Sequence, residues 1–423
     1  MEHAGRLSIE AEDEARAATE MAARRSYGKL LAYVAAQTRD VTAAEDALAE
    51  AFARALADWP KSGVPRQPEA WLLTAARRKA IDAARRRKSA VAGEAHLTMI
   101  LDELAEAAEE RAEIPDRRLA LMFACAHPAI DAAVRAPLIL QCVLGLDAAA
   151  IASAFLVAPA TMAQRLVRAK TKIREAGIPF RVPEREALAE RLETVLDAIY
   201  ATFAEGWADP AGADPKRGDL AGEAIWLGRL VVELLPGEPE ALGLLALMLH
   251  AEARRGARRD AAGRYVPLGE QDVACWNTVL VAEADAVLGC AQALQTIGRF
   301  QLEAAVQSAH AARRHLGRSD WRAIVILYDA LLQMTGSPVV AVNRAAAIAE
   351  AEAPAAGLAA LDQVAADPRI AEYQPYWAAR AALLARLGDR ERADQAYQLA
   401  IGLEPDPALR DFLERRRAAL SAR

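Results

Sequence analysis

The apolar residues of this chain recur every three or four positions, and this spacing restricts the fold more than any other feature. In residues 160–174, ATMAQRLVRAKTKIR, the residues Met162, Leu166, Ala169 and Ile173 fall on one narrow stripe at about 100° per residue. Apolar residues make up 54% of the chain and aromatic residues only 5%, which favours helices with closely packed alanine faces. No alternating run of Val, Ile and Thr requires a strand. The sequence therefore predicts an all-α fold.

Length and charge indicate more than one domain. A chain of 423 residues is too long for one compact core and suggests two or three domains. Residues 1–182 carry 26 Lys and Arg against 24 Asp and Glu, whereas residues 183–423 carry 26 against 34. The acidic whole argues against nonspecific nucleic-acid binding, but basic helices in the near-neutral first half remain compatible with specific binding.

Several classes of protein are disfavoured. The four cysteines lie far apart without a C-x-x-C pair, so we expect a reduced, cytoplasmic protein without disulfides. No apolar run reaches 18 residues and no signal peptide opens the chain, so we expect no membrane partner. Cys125 and His127 in the string CAHP lack a second ligand pair, and no catalytic pair stands out. We therefore expect no metal, no cofactor and no enzymatic activity.

Residues 147–174 follow the plan of a helix-turn-helix. A short helix starts after Asp147, a good N-cap, and Pro159 suits the first turn of the next helix, although no Ser or Thr caps that helix at residue 158. The second helix of such a motif enters the major groove of DNA. Its arginines and glutamine can address base edges, and Lys170 and Arg174 would neutralise phosphates. The side chains expected at DNA are Thr161, Gln164, Arg165, Arg168, Lys170, Lys172 and Arg174.

Two further helices precede this motif. Residues 42–60, TAAEDALAEAFARALADWP, are amphipathic, and the helix beginning near Trp71 is anchored by apolar residues with its basic residues facing out. An acidic, partly helical linker follows at residues 89–116. Two basic helices separated by an acidic linker suit a protein that holds one duplex at two places. In the first helix the expected inward residues are Ala47, Leu48, Ala51, Phe52, Ala55 and Leu56, while Glu45, Asp46 and Glu50 are left for solvent or a basic partner.

These segments together resemble a known family. The string AEDALAEAFARALADWP, followed by PEAWLLTAARRKAIDAARRR, is similar to the second conserved region of bacterial extracytoplasmic-function (sigma-70 type, group 4) RNA polymerase sigma factors. The string LILQCVLGLDAAAIASAFLVAPATMAQRLVRAKTKIREAG is similar to their fourth region. FACAHPAI, ELLPGEPEALGLLALMLHAEARR and SPVVAVNRAAAIAEA resemble the subgroup with a tetratricopeptide-like C-terminal extension. The resemblance spans nearly the whole chain and implies a factor that binds core RNA polymerase and directs promoter recognition.

The resemblance also implies a role for each motif. The helix in residues 42–60 would bind the clamp helices of the polymerase largest subunit, through Glu45, Asp46, Glu50, Phe52 and Arg54. The loop 61–68 and the helix after it would capture the −10 element of promoter DNA, including one flipped base, through Arg66, Trp71, Arg77, Arg78, Lys79, Arg85 and Arg86. The helix at residues 160–174 would read the −35 element. Many family members have Asn where this chain has Arg78.

The C-terminal part reads as a helical array. Residues 376–407 fit one tetratricopeptide unit with a turn at Gly388–Asp389, although they depart from it at Arg380 and Leu384. Residues 283–311 and 338–368 are more degenerate units. Stacked helix pairs leave a concave groove, so this array is predicted to bind a protein or peptide, with a purely structural array as the alternative.

The predicted organisation has five parts and one leading function. The parts are a flexible N-terminus (1–20), a region 2-like domain (21–88), the acidic linker (89–116), a region 4-like helix-turn-helix domain (117–182) and the tetratricopeptide-like array (183–423). The leading hypothesis is a sigma factor whose activity the array governs. The alternatives are a stand-alone helix-turn-helix regulator with a repeat-type sensor domain, and a repeat scaffold with incidental basic helices. The acidic first helix favours the sigma factor, because a stand-alone regulator needs no surface for polymerase.

Overall fold

A computed structural model of the chain describes residues 2–88, 115–155, 157–207 and 215–420; side chains are left undescribed at 2–10, 24, 84–88, 153, 154, 185 and 215–219. Within those ranges every regular element is a helix, apart from one isolated bridge between Arg259 and Tyr265. The all-α prediction is confirmed. The chain divides into two compact units, Met1–Thr202 and Phe203–Arg423. The predicted linker lies outside the described residues except for positions 115 and 116.

Eight α-helices of the first unit are described, and the eighth continues into the second unit. They are α1 (Glu2–Thr38), α2 (Val41–Ser62), α3 (Pro68–Lys88), α4 (Arg118–Cys125), α5 (Ala132–Leu144), α6 (Ala148–Ala154), α7 (Pro159–Glu175) and α8 (Arg185–Trp207).

Helix α2 starts and stops where local chemistry dictates. The Asp40 carboxylate accepts a hydrogen bond from the Ala43 backbone N–H (3.1 Å), and Gly63, at φ +83°, ends the helix. The predicted inward residues Ala47, Leu48, Ala51 and Ala55 are buried. The prediction is wrong for Leu56, which is 49% exposed, and Phe52 is half-buried. Both lie at the edge of the stripe, where a single helix cannot tell whether a neighbour covers them.

The first twenty residues differ from the expected flexible terminus. From Glu2 onward they form the first half of α1. Ala15, Thr19 and Ala22 are buried and are spaced four and three residues apart, so they share one face of the helix. The run of acidic residues masked this apolar stripe in the sequence.

Helices α4 and α5 pack closely against α1. Residues 119–125 of α4 are all buried, as is typical of a helix that is apolar on every side. A Cβ atom added at Gly28 of α1 would lie 2.0 Å from the Val143 carbonyl oxygen of α5. Gly145 ends α5 in the left-handed conformation at φ +73°, with the Tyr27 ring against it. Only glycine fits at both positions.

Helices α6 and α7 form around the predicted cap and stripe. The Asp147 carboxylate accepts a hydrogen bond from the Ala150 N–H at 2.7 Å, so this cap is confirmed. Ala158 precedes α7 without a side-chain cap, also as predicted. The four residues of the apolar stripe are confirmed as buried: Met162, Leu166, Ala169 and Ile173.

The second unit stacks helices around α10. The further helices described are α9 (Pro215–Leu234), α10 (Pro239–Ala253), α11 (Thr278–Ala293), α12 (Arg299–Ala311), α13 (Arg313–Leu316), α14 (Trp321–Thr335), α15 (Pro338–Ala351), α16 (Pro354–Val364), α17 (Gln374–Arg386), α18 (Arg390–Leu403) and α19 (Pro407–Ala418). Helix α10 is buried over almost its full length and packs on α11 and α12. The turn predicted at Gly388–Asp389 joins α17 to α18, with Gly388 at φ +83°.

An irregular segment, residues 255–275, connects α10 to α11 through three short 3-10 helices. The Arg313 guanidinium donates to the backbone carbonyls of Leu268, Gly269 and Gln271, at 3.0–3.1 Å. The same segment meets α19 through four further residues. Arg259 pairs with Asp406 at 2.9 Å, and the Tyr265 ring lies edge-on to Phe412, with 5.5 Å between ring centroids. The last helix of the second unit therefore closes against a segment near its start.

Candidate nucleic-acid interface

The basic face of α7 is open to solvent along most of its length. Thr161, Gln164, Arg165, Arg168, Lys172 and Arg174 are all exposed, as predicted from the helical spacing. Arg165, Arg168 and Lys172 line a hollow of about 300 Å³ together with Asp131 and Val134 of α5. Exposed arginines beside a concave surface can reach base edges and phosphate oxygens, so the geometry of this face suits DNA.

Lys170 does not share that exposure, and the expectation of a solvent-facing phosphate contact is corrected. Its side chain is 8% exposed, and its Nζ lies 2.7 and 2.6 Å from the two carboxylate oxygens of Glu45 on α2. Burial raises the pKa of the Glu45 carboxyl, while the ammonium of Lys170 opposes that rise. Burial also raises the pKa of Tyr27, with the Glu45 charge adding to the effect. The pair lies 125 residues apart in sequence.

A second charged contact lies beside this pair. Arg174 Nη1 of α7 is 3.7 Å from Asp40 Oδ2, at the start of α2. Arg174 is about half exposed, so this contact is a weak surface interaction. Arg174 also lines a hollow of about 450 Å³ with Thr42 and Asp46 of α2 and Lys79 of α3.

Helix α3 presents some of its predicted DNA-binding residues. Arg66, in the loop before it, and Arg78 are exposed. Trp71 is half-buried with its ring edge-on to the buried Trp59, at 5.5 Å between centroids. Lys79 Nζ lies 3.4 Å from Glu50 Oε2 of α2. The side chains of Arg85 and Arg86 lie outside the described residues, so the structure does not bear on them.

Arg77 faces inward, which corrects the expectation that the basic residues of α3 all face out. It is 8% exposed and its guanidinium lies over the Tyr33 ring, 5.9 Å from the centroid. The sequence held the signal, since Arg77 follows Leu73 by four positions and precedes Ala80 by three, and both are buried. Arg77 therefore packs the bundle of α1 and α3.

The outer face of α2 carries acidic and apolar residues. Asp46, Glu50 and Arg54 are exposed, whereas Glu45 is bound by Lys170. Arg54 pairs with Asp58 one turn along the same helix, at 3.4 Å. Sequence reasoning missed Leu56, which lies four residues after Phe52 and extends the exposed apolar surface beside these charges.

The string with Cys125 and His127 is part of a turn. His127 Nδ1 accepts a hydrogen bond from the Ala129 backbone N–H at 3.1 Å, and Cys125 is buried. Over the described ranges no group of three or more His, Cys, Asp and Glu residues could hold a metal ion. Nor does any helix described there have the length and apolar character to cross a bilayer.

Comparison with known proteins gives three matches. Residues 23–90, which include α2 and α3, match sigma-70 region 2. Residues 191–292 match a family of unknown function, DUF6596. The uncharacterized protein R00370 of Rhizobium meliloti (strain 1021) is 40% identical over 380 residues, which are 89% of this chain and 88% of that protein. No solved structure matches the chain.

Proposed function

We propose that this chain, which belongs to the same family as the uncharacterized protein R00370 of Rhizobium meliloti, is a sigma factor that brings core RNA polymerase to promoters through their −10 and −35 elements. The observation that carries the proposal is the sigma-70 region 2 at residues 23–90, which supports a sigma-70 family factor in transcription initiation. Sigma-70 family factors are not enzymes, and this family places polymerase and promoter DNA among the partners. Assignment to the extracytoplasmic-function group, and a cytoplasmic location, belong to the proposal.

Helix α7 supports the −35 part of the proposal. It is a basic helix preceded by a short capped helix, and six of its seven candidate residues are exposed on one side. The −10 part is assigned to the loop at Arg66, to Trp71 and to the exposed Arg78 of α3. In this proposal Arg77 supports α3 from within the bundle.

The polymerase surface is assigned to α2. Phe52 and Leu56 provide an apolar centre, and Asp46, Glu50 and Arg54 provide charges around it. Apolar centres with charged rims are typical of protein interfaces. A stand-alone DNA-binding regulator gives no reason for a leucine exposed beside carboxylates on this helix.

Co-purification with core polymerase tests the proposal. The full chain should elute with core enzyme at a one-to-one ratio and support run-off transcription from its promoter. Leu56→Ala with Asp46→Lys should abolish co-elution, because the apolar centre and its charge are both lost. Leu399→Ala is the matched control, since Leu399 is 47% exposed in the second unit. Full retention of polymerase by the double variant would favour the stand-alone regulator instead.

We also propose that the second unit binds a protein segment and is required for initiation. A cleft of about 620 Å³ within this unit is lined by side chains that can both stack and form hydrogen bonds, which suits an extended peptide. These side chains include His310, Arg313, Trp321, Tyr328 and Asn343. The tetratricopeptide-like description of the array remains part of this proposal.

Truncation tests the role of the second unit. The chain should end at Trp207, because the α8 residue Arg191 donates to the Phe123 carbonyl of the first unit at 2.8 Å and a cut at residue 182 would remove it. We expect transcription to be lost while the remaining helical content is kept. Higher activity would instead make the second unit an inhibitor, and unchanged activity in cells and with purified components would exclude both roles.

A further inference from the structure

The helices proposed to read the two promoter elements are packed into one unit. On one side, Gly28 of α1 approaches the Val143 carbonyl of α5 so closely that no side chain fits there. On the other side, Lys170 of α7 bonds to both carboxylate oxygens of Glu45 on α2. Between them, α4 is buried over residues 119–125. These contacts form a continuous core, which joins α1 and α2 to the helices around α7.

This packing restricts how far apart the two reading surfaces can lie. A path of printed contacts leads from Arg165 to Lys170, across to Glu45, along α2 to Glu50 and across to Lys79. Five residues along a helix add roughly 8 Å each time, and each bridged side-chain pair adds roughly 12 Å. Arg165 and Lys79 are therefore within roughly 40 Å of each other.

Promoter elements require a larger separation. The −10 and −35 elements are separated by about 25 base pairs, which is about 85 Å of duplex at ~3.4 Å per base pair. Bending the duplex smoothly by about 90° shortens this span by only about a tenth and costs several kcal/mol. The packed arrangement cannot place α3 and α7 on both elements at once.

We propose that this structure is a closed form of the first unit, held by the Glu45–Lys170 pair and the Gly28–Val143 contact, and that polymerase binding opens it. The proposal rests on the proposed sigma-factor function. In the closed form Lys170 covers Glu45, one of the residues assigned to polymerase. Polymerase and α7 therefore compete for this end of α2.

The chemistry of the contact suits an interface that opens. A buried ion pair contributes little net free energy compared with apolar residues of the same size, because both charges lose their hydration. On opening, Glu45 and Lys170 regain water or find partners on polymerase and DNA. A ligand that binds only the open form has its apparent affinity reduced by the fraction of molecules that are open. Loosening the closed form should therefore tighten polymerase binding.

A steric wedge tests the opening step in the full chain. Gly28→Ala introduces a methyl group against the Val143 carbonyl without changing a charge or a residue assigned to polymerase or DNA. We expect a larger radius of gyration by small-angle X-ray scattering and a dissociation constant for core polymerase at least fivefold lower. Gly222→Ala is the matched control, since a Cβ there meets nothing within 4 Å. Expansion without tighter binding would overturn the proposal.

A reversible lock covers the case in which the wedge variant fails to fold. Thr42 and Arg174 line the same hollow, so Thr42→Cys with Arg174→Cys can be bridged by a bis-maleimide with a reducible spacer. The exposed Cys275 and Cys290 are first replaced by Ser. We expect the bridged chain to lose at least tenfold in promoter-dependent transcription and to recover it on reduction. The comparison is made within one variant, so the loss of Arg174 itself cancels.

The outcomes separate this inference from the function beneath it. The control is Thr42→Cys alone treated with the same reagent, which should show no change on reduction. Equal transcription by the bridged and the reduced chain would overturn the closed form while leaving the sigma-factor function intact. Failure of the unmodified chain to bind core polymerase would overturn both.

Discussion

Arg165 and Arg168 are the residues of α7 best placed to contact bases, because both are exposed and line one hollow. We expect Arg165→Ala and Arg168→Ala each to weaken promoter binding by about 1–3 kcal/mol and to relax the preference at one −35 position. Binding to a panel of −35 variants, measured at fixed salt with the polymerase complex, checks this. Arg181→Ala, an exposed residue beyond α7, serves as the control. Unchanged selectivity in both variants would mean that this face is only solvated.

Lys170 should affect stability, since its ammonium neutralises a carboxylate that has little access to water. Lys170→Ala leaves Glu45 partly buried beside Asp46 and Asp40, and we expect the free energy of unfolding to fall by about 3 kcal/mol. Urea denaturation followed by circular dichroism measures the change. Lys172→Ala, an exposed neighbour on the same helix, should change it by less than about 0.5 kcal/mol. Equal effects of the two substitutions would contradict the importance of the pair.

At the level of single elements, α7 lacks a stabilising cap. Ala158 has the extended backbone of an N-cap, φ −60° and ψ 135°, but its side chain cannot accept a hydrogen bond. Ala158→Ser should therefore stabilise the first unit by about 0.5–1 kcal/mol by satisfying an N–H group at the start of α7. The thermal midpoint should rise, with −35 selectivity retained. Ala158→Val is the control that adds bulk without an acceptor, and a rise with Val as well would exclude capping as the cause.

Local features of the helices could be predicted from sequence, and distant partners could not. The apolar stripe of α7 and the Asp147 cap depend on residues within two turns, and both were predicted. The partner of Lys170 is 125 residues away, and no pattern in either helix indicates it. Spacing alone assigned the exposed face of α7 but placed Lys170 on a flank, where only the packing of α2 decides between water and protein.

Exposed apolar residues show the same limit. Leu56 continues the inward stripe of α2 in sequence, yet none of the described helices covers it. Arg77 is the opposite case, since its charge suggested solvent although its spacing matched the buried Leu73 and Ala80. Residue type outweighed periodicity in that prediction, and the structure favours periodicity.

For the molecule as a whole, acid should destabilise the second unit. Burial lowers the pKa of His310 to about 4, with the charges of Arg254 and Arg313 adding to the effect, and burial also lowers the pKa of His250. The folded chain keeps His310 neutral, whereas the unfolded chain protonates it below its ordinary pKa of about 6.5. The stabilisation is thus complete above pH ~6.5 and decreases by about 3 kcal/mol as the pH falls to ~4.

Thermal or urea unfolding between pH 4 and 7.5 measures this dependence. His310→Phe keeps an aromatic ring against Trp321 and removes the titrating group, so its stability should vary less over the same range. His315→Phe, in the following helix, is the matched control and should retain the dependence. A wild-type unfolding free energy that rises towards pH 4 would contradict the assignment.

The closure of α19 against residues 259–270 has a consequence for how the protein is made. Arg259 and Tyr265 meet Asp406 and Phe412, about 147 residues later in the chain. Such distant contacts form late in folding, because a long loop must close first. On the ribosome the second unit therefore cannot be completed until translation has ended and the last helix has emerged. A premature stop in the final twenty codons would leave the early segment without its cover and the product open to proteases.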